Sequence, residues 1–308
     1  MCAAAALTSR GRRRVGRNEL IAQGEFENAG DLADYEYADL RVVGAVVWPW
    51  KISQAEKNVV FDSMAVLEQR KSLEELRKNH GLGLVKNGAD LDRARTQDFS
   101  LDLVYSLWGL DGISEISDLE KLWTGGFRIF RPVWAASNKI AVAADDPVEA
   151  ESGRTELGRE ILGRGAGKNL VLDLTNVGAR AMEEFLANRR GKNWLVTLTR
   201  NLEENLLREI AEKHGVVSLS FALAHFAEDA AENFLVEKIG ALRNLVGDDH
   251  LVLGTELHGL RADRVVPGQQ RVAGLAIFEE KLVTQFGAKF AEKFLWGTGE
   301  RILRENLG

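Results

Sequence analysis

The strongest constraint in this chain is a rhythm of short apolar runs, each followed by a stretch long enough to cross back over a sheet. Asn169 to Leu202, NLVLDLTNVGARAMEEFLANRRGKNWLVTLTRNL, shows it most clearly, with the runs Leu170 to Leu174 and Trp194 to Leu198 separated by one helical crossover. Val42 to Val47, Leu101 to Leu107, Phe127 to Val133, Val216 to Phe221 and Leu251 to Thr255 repeat the pattern, which makes seven strands counted from Val42. Ala3 to Leu7 is the candidate for an eighth. Such alternation indicates a parallel sheet, and eight units close an α/β barrel of the (β/α)8, TIM type. An open doubly wound sheet is the alternative, but no glycine-rich dinucleotide turn follows the first strand. Gly163-Arg164-Gly165-Ala166-Gly167 precedes a strand instead, which argues against a phosphate cradle.

Between the strands, helical spacing predicts a helix from Ser53 to His80, with Ser53 as N-cap, Val60, Met64, Leu67, Leu73 and Leu76 as apolar positions, and Gly81 as terminator. Trp48-Pro49-Trp50 reads as a stop after the first strand, and Pro132 limits the ladder of the third. Further helices are expected at Ser117 to Trp123, Glu156 to Leu162 and Ala179 to Asn188, and from Asn201 or Leu202 to Lys213. Asn233 is read as the cap of a helix through Leu245, and the tail from Phe278 to Leu307 as helical with an interruption at Gly297 to Gly299.

Composition sets the outer limits. With 308 residues, 45% apolar, and only four prolines, the chain supports a full-sized core and reads as one barrel domain over 1–308 with an arm at 1–20. A net charge of -6 argues against general nucleic-acid binding, and the cluster Arg10, Arg12, Arg13, Arg14 and Arg17 reads as a solvated basic arm. The single cysteine, Cys2, excludes an internal disulfide and fits a reducing compartment. No run is long enough to span a bilayer, and Cys2 to Leu7 is too short for a signal-peptide core, so the expected location is the cytoplasm.

In a β/α protein chemistry sits at the carboxyl ends of the strands, which singles out Asp173, Thr175, Asn176, Thr199, Arg200 and Asn201. A hydrolytic metal there needs His and carboxylate groups converging from several strands. Of five histidines, His80, His214 and His250 sit at helix ends or ahead of a strand. His225 and His258 follow strands, and His258 lies two residues from Glu256. No serine occupies a nucleophile elbow, and Ser218 and Ser220 read as barrel-lining or backbone-bonding hydroxyls. Asp173 and Glu256 form a conceivable carboxylate pair, but Asp173 alternates with Leu172 and Leu174. If it points into the barrel it needs Arg131 or Arg128 as an ion-pair partner.

The succession TELGREIL (Thr155 to Leu162), LVLDLTN (Leu170 to Asn176), RNLEENLLREIAEKHGVV (Arg200 to Val217) and DHLVLGTELHG (Asp249 to Gly259) resembles the renal or membrane dipeptidase family of zinc peptidases. GGFRIFRPVW (Gly125 to Trp134) and NGADLDRA (Asn87 to Ala94) fall in that family's order, and the likeness runs from about Asp31 onward. It implies an amidohydrolase-type barrel holding two zinc ions, hydrolysing dipeptides and forming homodimers. The ligand positions depart from the family's pattern. Nothing before His80 supplies the histidine of an early Asp-x-His pair, Trp108 stands where a bridging glutamate is expected, and Asn176 stands where a histidine follows Asp173. A histidine loop between Thr199 and Arg200 is missing, and Glu256 and His258 replace the family's acidic positions. Arg200, followed by Asn201, matches the arginine that holds the substrate's terminal carboxylate.

Asparagine is a weak neutral ligand and tryptophan is none. Two readings therefore stand. The first is a catalytically degenerate dipeptidase-like barrel with no metal expected, serving as a binding or scaffold protein. Its pocket would be formed by Trp108, Trp134, Asn176, Thr199, Glu256 and His258, with a small peptide or carboxylate held by Arg200 and Asn201. The second is a working dipeptidase or amide hydrolase rebuilt around Glu256 and His258, with Asp173 as a further catalytic group.

Overall fold

The structure is a computed structural model, and it describes residues 42–47, 49–52, 59–61, 63–96, 101–134, 136–146, 153–165, 170–187, 194–197, 202–223, 232–254, 265–269 and 273–308. Strand β1 (Val42–Val47) is followed by an antiparallel hairpin of β2 (Trp50–Ile52) and β3 (Val59–Phe61), then by helix α1 (Ser63–His80) and β4 (Gly83–Leu84). Next come α2 (Gly88–Thr96), β5 (Asp102–Trp108), α3 (Ile116–Thr124), β6 (Phe127–Arg131), α4 (Glu156–Gly165), β7 (Val171–Asp173) and α5 (Ala179–Ala187). The chain continues through β8 (Trp194–Thr197), α6 (Glu204–Glu212), β9 (Val216–Leu219), α7 (Glu232–Val246) and β10 (Leu251–Leu253). It closes with α8 (Gly274–Phe286), α9 (Ala288–Glu292), a π-turn (Lys293–Gly297) and α10 (Thr298–Leu307).

The seven expected strands form one parallel ladder in the order β1-β5-β6-β7-β8-β9-β10. Since β1 occupies one side of β5, the short β4 must pair on the other side, ahead of the point where β6 takes over at Tyr105. Strand and helix alternation with this order is the TIM-barrel architecture. The proposed eighth strand, Ala3 to Leu7, lies outside the described residues.

Alternation along the strands splits the core in two. Leu103, Tyr105 and Leu107 of β5, Phe130 of β6, Leu172 of β7 and Leu219 of β9 face outward into the layer shared with the helices. Val104, Ile129, Val171, Val216 and Val252 face inward and form a separate cluster with Leu91 and Ala94 of α2 and Ile302, Leu303 and Leu307 of α10. This second cluster is the lower barrel interior, sealed from below by two helices. Outside the seal, Arg304 bonds Asp92 at 2.8 Å, Arg95 bonds Glu300 at 2.7 Å, and the Gly88 amide donates to the Gly308 carbonyl at 2.9 Å.

Several local expectations are corrected. The long helix begins at Ser63, not Ser53, and Val60 belongs to β3. Ser53 itself lies outside the described residues. The first strand does end at Val47, as the Trp48-Pro49-Trp50 stop predicts, but Trp50 then opens β2, and its antiparallel pairing with β3 takes the place of the first turns of the expected helix. Asn233 is inside α7, which starts at Glu232. The C-terminal break falls at Gly287, whose φ of 88° suits glycine, while Gly297 is helical and only ends the π-turn.

Candidate functional site

The carboxyl ends of β5, β6 and β7 carry Trp108, Arg131 and Asp173. Register pairs Trp108 with Arg131, so the two side chains leave the same face of adjacent strands. Both point inward, as does Asp173. Arg131 donates from Nε and Nη2 to Asp173 Oδ2, at 2.9 and 2.7 Å. Its guanidinium carbon lies 3.4 Å from the centre of the Trp108 ring, within cation–π range. The other carboxylate oxygen, Oδ1, accepts the Thr175 amide at 3.0 Å and the Thr175 hydroxyl. Arg131 is 3% exposed and Asp173 0%, so a buried charge pair with its carboxylate saturated closes this side of the mouth. Arg128 is not the partner of Asp173. It faces elsewhere and donates to the carbonyls of Lys86, Trp123 and Phe127.

Beyond β7, the chain turns back through Asn176, whose φ of 65° is a left-handed conformation that asparagine tolerates better than most residues. Its side-chain amide donates to the Trp134 carbonyl at 2.9 Å, and its own carbonyl accepts the Ala144 amide at 2.8 Å. With Gly178 donating to Val142 at 2.9 Å, these bonds stitch the loop after β7 to the long loop after β6. That loop is held in turn by Asn138, which donates to Pro132 at 2.8 Å and caps the Ile140 amide at 2.9 Å. Asn176 is a clamp between two mouth loops.

The structure thus brings together Trp108, Asp173 and Asn176 with Trp134, the last half-buried and three residues past its strand. Thr199, Arg200, Asn201, His225, Glu256 and His258 lie outside the described residues. His214 and His250 sit at the opposite end of the barrel, ahead of β9 and β10, with ring centres 6.5 Å apart and His250 Nδ1 2.8 Å from the Gly215 carbonyl. Ser220 is backbone-bonding, its hydroxyl accepting the Ala222 amide at 3.1 Å, and Ser218 is buried in the barrel wall. Sequence reasoning named Arg131 only as one of two partners for Asp173 and missed Thr175 as the group that completes the carboxylate. Strand parity was the available signal: Arg131 follows inward-facing Ile129 by two, as Asp173 follows Val171.

The described donors do not fit the two-zinc centre that the resemblance implies. Trp108 has no lone pair to give, both Asp173 oxygens are taken, and Arg131 places a fixed positive charge where a divalent ion would need negative ligands. Among the described residues no three His, Cys, Asp or Glu side chains group closely enough to hold a metal ion. No described helix is long and apolar enough to cross a membrane.

Known proteins share this architecture. A solved amidohydrolase from Pseudomonas aeruginosa superposes with a TM-score of 0.80 at 18% identity, over 96% of each chain. A metallo peptidase from Rhodobacter sphaeroides, solved with a phosphinate mimic of the dipeptide L-Ala-D-Ala, gives 0.75 at 15% identity over 90% of each chain. An uncharacterized protein in the pqqA 5' region of Klebsiella pneumoniae is 24% identical over 268 residues, which is 80% of this chain and 96% of that one. The family described as membrane dipeptidase, Peptidase family M19, matches residues 20–306. The chain therefore belongs to the membrane dipeptidase family, a family of zinc dipeptidases, and shares its barrel.

Proposed function

We propose that this member of the family has lost the metal chemistry and works as a binding or scaffold protein. The observation that carries the reading is the Arg131–Asp173 ion pair stacked on Trp108. An active metallo-site must keep carboxylate oxygens open for the ion and a position open for water. Here the protein's own guanidinium neutralises the carboxylate, and an indole and an arginine line the strand ends. The ligand we assign is a small peptide or other carboxylate, held by Arg200 and Asn201 beside Trp134, Asn176, Thr199, Glu256 and His258. A homodimer is the assembly proposed with it.

Metal analysis of protein purified in the presence of zinc, with a dipeptide panel, tests the first part. We expect less than one equivalent of metal and no turnover. Two equivalents, with turnover abolished by a chelator and by Glu256→Gln, would establish the rebuilt hydrolase instead. Calorimetry with a phosphinate dipeptide mimic tests the ligand. Binding that survives Arg200→Ala unchanged removes Arg200 from the reading.

A further inference from the structure

Among the described residues two buried hydroxyls inside the barrel find no hydrogen-bond partner, Ser106 on β5 at 2% exposure and Ser218 on β9 at 1%. Both face inward, since Ser106 lies between the outward Tyr105 and Leu107, and Ser218 between the outward Val217 and Leu219. Their relative height follows from strand pairing. Ser106 pairs with Ile129 and Ile129 with Val171, and the ladder continues through Leu172 with Trp194 and Leu195 with Val216. Followed to β9, that line arrives four residues before Ser218. Strand tilt in a barrel of eight strands and shear eight raises the level residue by about one position per strand. Four strand steps therefore bring Ser106 and Ser218 to the same height on opposite walls. Two steps bring Asp173 to that height as well.

This layer lies directly above the aliphatic floor of Val104, Val171 and Val216, and beneath Trp108 and Thr175. Gly44, inward by alternation with Val42 in that floor, contributes no side chain to the space. The Asp173 oxygens are already saturated by Arg131 and Thr175, so they cannot serve either serine. Buried hydroxyls left without partners are uncommon, and ordered water is their usual complement where a site is polar and roomy.

We infer that the barrel interior between Ser106 and Ser218 is a built hydration site, holding a short chain of ordered water between the ion pair and the aliphatic floor. Neutral hydroxyls beside a guanidinium suit water and do not suit a cation. The inference is independent of whether the chain hydrolyses anything.

A high-resolution crystal structure of the full chain is expected to show water within hydrogen-bond distance of both hydroxyls. Oxygen-17 relaxation dispersion is expected to count long-lived internal waters that decrease in Ser218→Val. The thermal midpoint supplies a sign test in which folding itself is the readout. In a hydrated site Ser106→Ala and Ser218→Ala remove a partner from the water and lower Tm by roughly 1–3 °C. In a dry interior the same changes relieve an orphaned hydroxyl and raise Tm. Empty density between the two serines, or a rise in Tm for both variants, overturns the inference.

Discussion

At its amino end the barrel is closed by aliphatic side chains, with Ile302, Leu303 and Leu307 of α10 and Leu91 of α2 packed beneath a ring of valines. At its carboxyl end the side formed by β5, β6 and β7 is closed by an arginine–aspartate pair, an indole and a threonine hydroxyl. The lower seal rests mainly on shape and apolar area: Asp102 at its rim is buried against Arg93 of α2 and the Gly83 amide, while the Arg304–Asp92 and Arg95–Glu300 pairs stay outside. The upper closure depends on every polar group finding its partner, because an unpaired charge at such depth is costly. One end therefore tolerates conservative change, while the other fails when a single group is removed.

Breaking the ion pair should show the largest effect. Arg131→Met strands Asp173 and is expected to cost about 3–5 kcal/mol of unfolding free energy in urea titration, whereas Arg131→Met with Asp173→Leu should recover most of it. If the double variant is no better than the single, the charge pair is not what stabilises the mouth. At the lower end Leu303→Ala is expected to cost about 2–4 kcal/mol through its cavity, and Leu303→Met under about 1.5. Equal losses from the two would contradict a seal that rests mainly on shape.

Asn176 offers a finer probe of the upper closure. Asn176→Gly keeps the positive φ and loses only the bond to Trp134, at about 1 kcal/mol, while Asn176→Ala adds the left-handed penalty of about 1 kcal/mol more. Equal stability of the two variants would deny the backbone part of the clamp.

The outer layer supplies a titration test. Burial pulls the Glu74 carboxyl upward, but hydrogen bonds from Tyr105 and Arg77, with the Arg77 charge, outweigh it and hold the group below its usual range. Burial, then Glu74, push the Tyr105 phenol well above its ordinary value. A depressed carboxyl stabilises the fold above its unfolded pKa of about 4 and loses that contribution as pH falls through the folded value. A raised phenol stabilises below its unfolded pKa of about 10 and loses its contribution as pH rises through the folded value. Tyr105→Phe should therefore lower stability most near pH 7, where both contributions are present, and least at the acid and alkaline extremes, where they are already lost, so that the profile flattens. An unchanged profile would show that the 2.8 Å Tyr105–Glu74 bond is not formed in solution.

Much of this was legible in the chain itself. The apolar runs named all seven strands of the main ladder, because a strand buried on both faces needs a continuous apolar stretch whatever its neighbours. The family likeness was readable for the same reason, since the order of motifs survives along a chain. The β2–β3 hairpin was not readable: Val59–Phe61 carries helix-compatible spacing with Met64 and Leu67, and only pairing with Trp50–Ile52 decides it.

The site divides along the same line. That Trp108 and Asn176, at their strand ends, are not metal-ligand types is a matter of side-chain chemistry and was read from the sequence alone. Which arginine neutralises Asp173, that Asn176 ties two loops together, and that two serines share one level of the barrel were decided by tertiary structure. Those relations join residues tens of positions apart through strand register and tilt, and no local pattern encodes the distance between them.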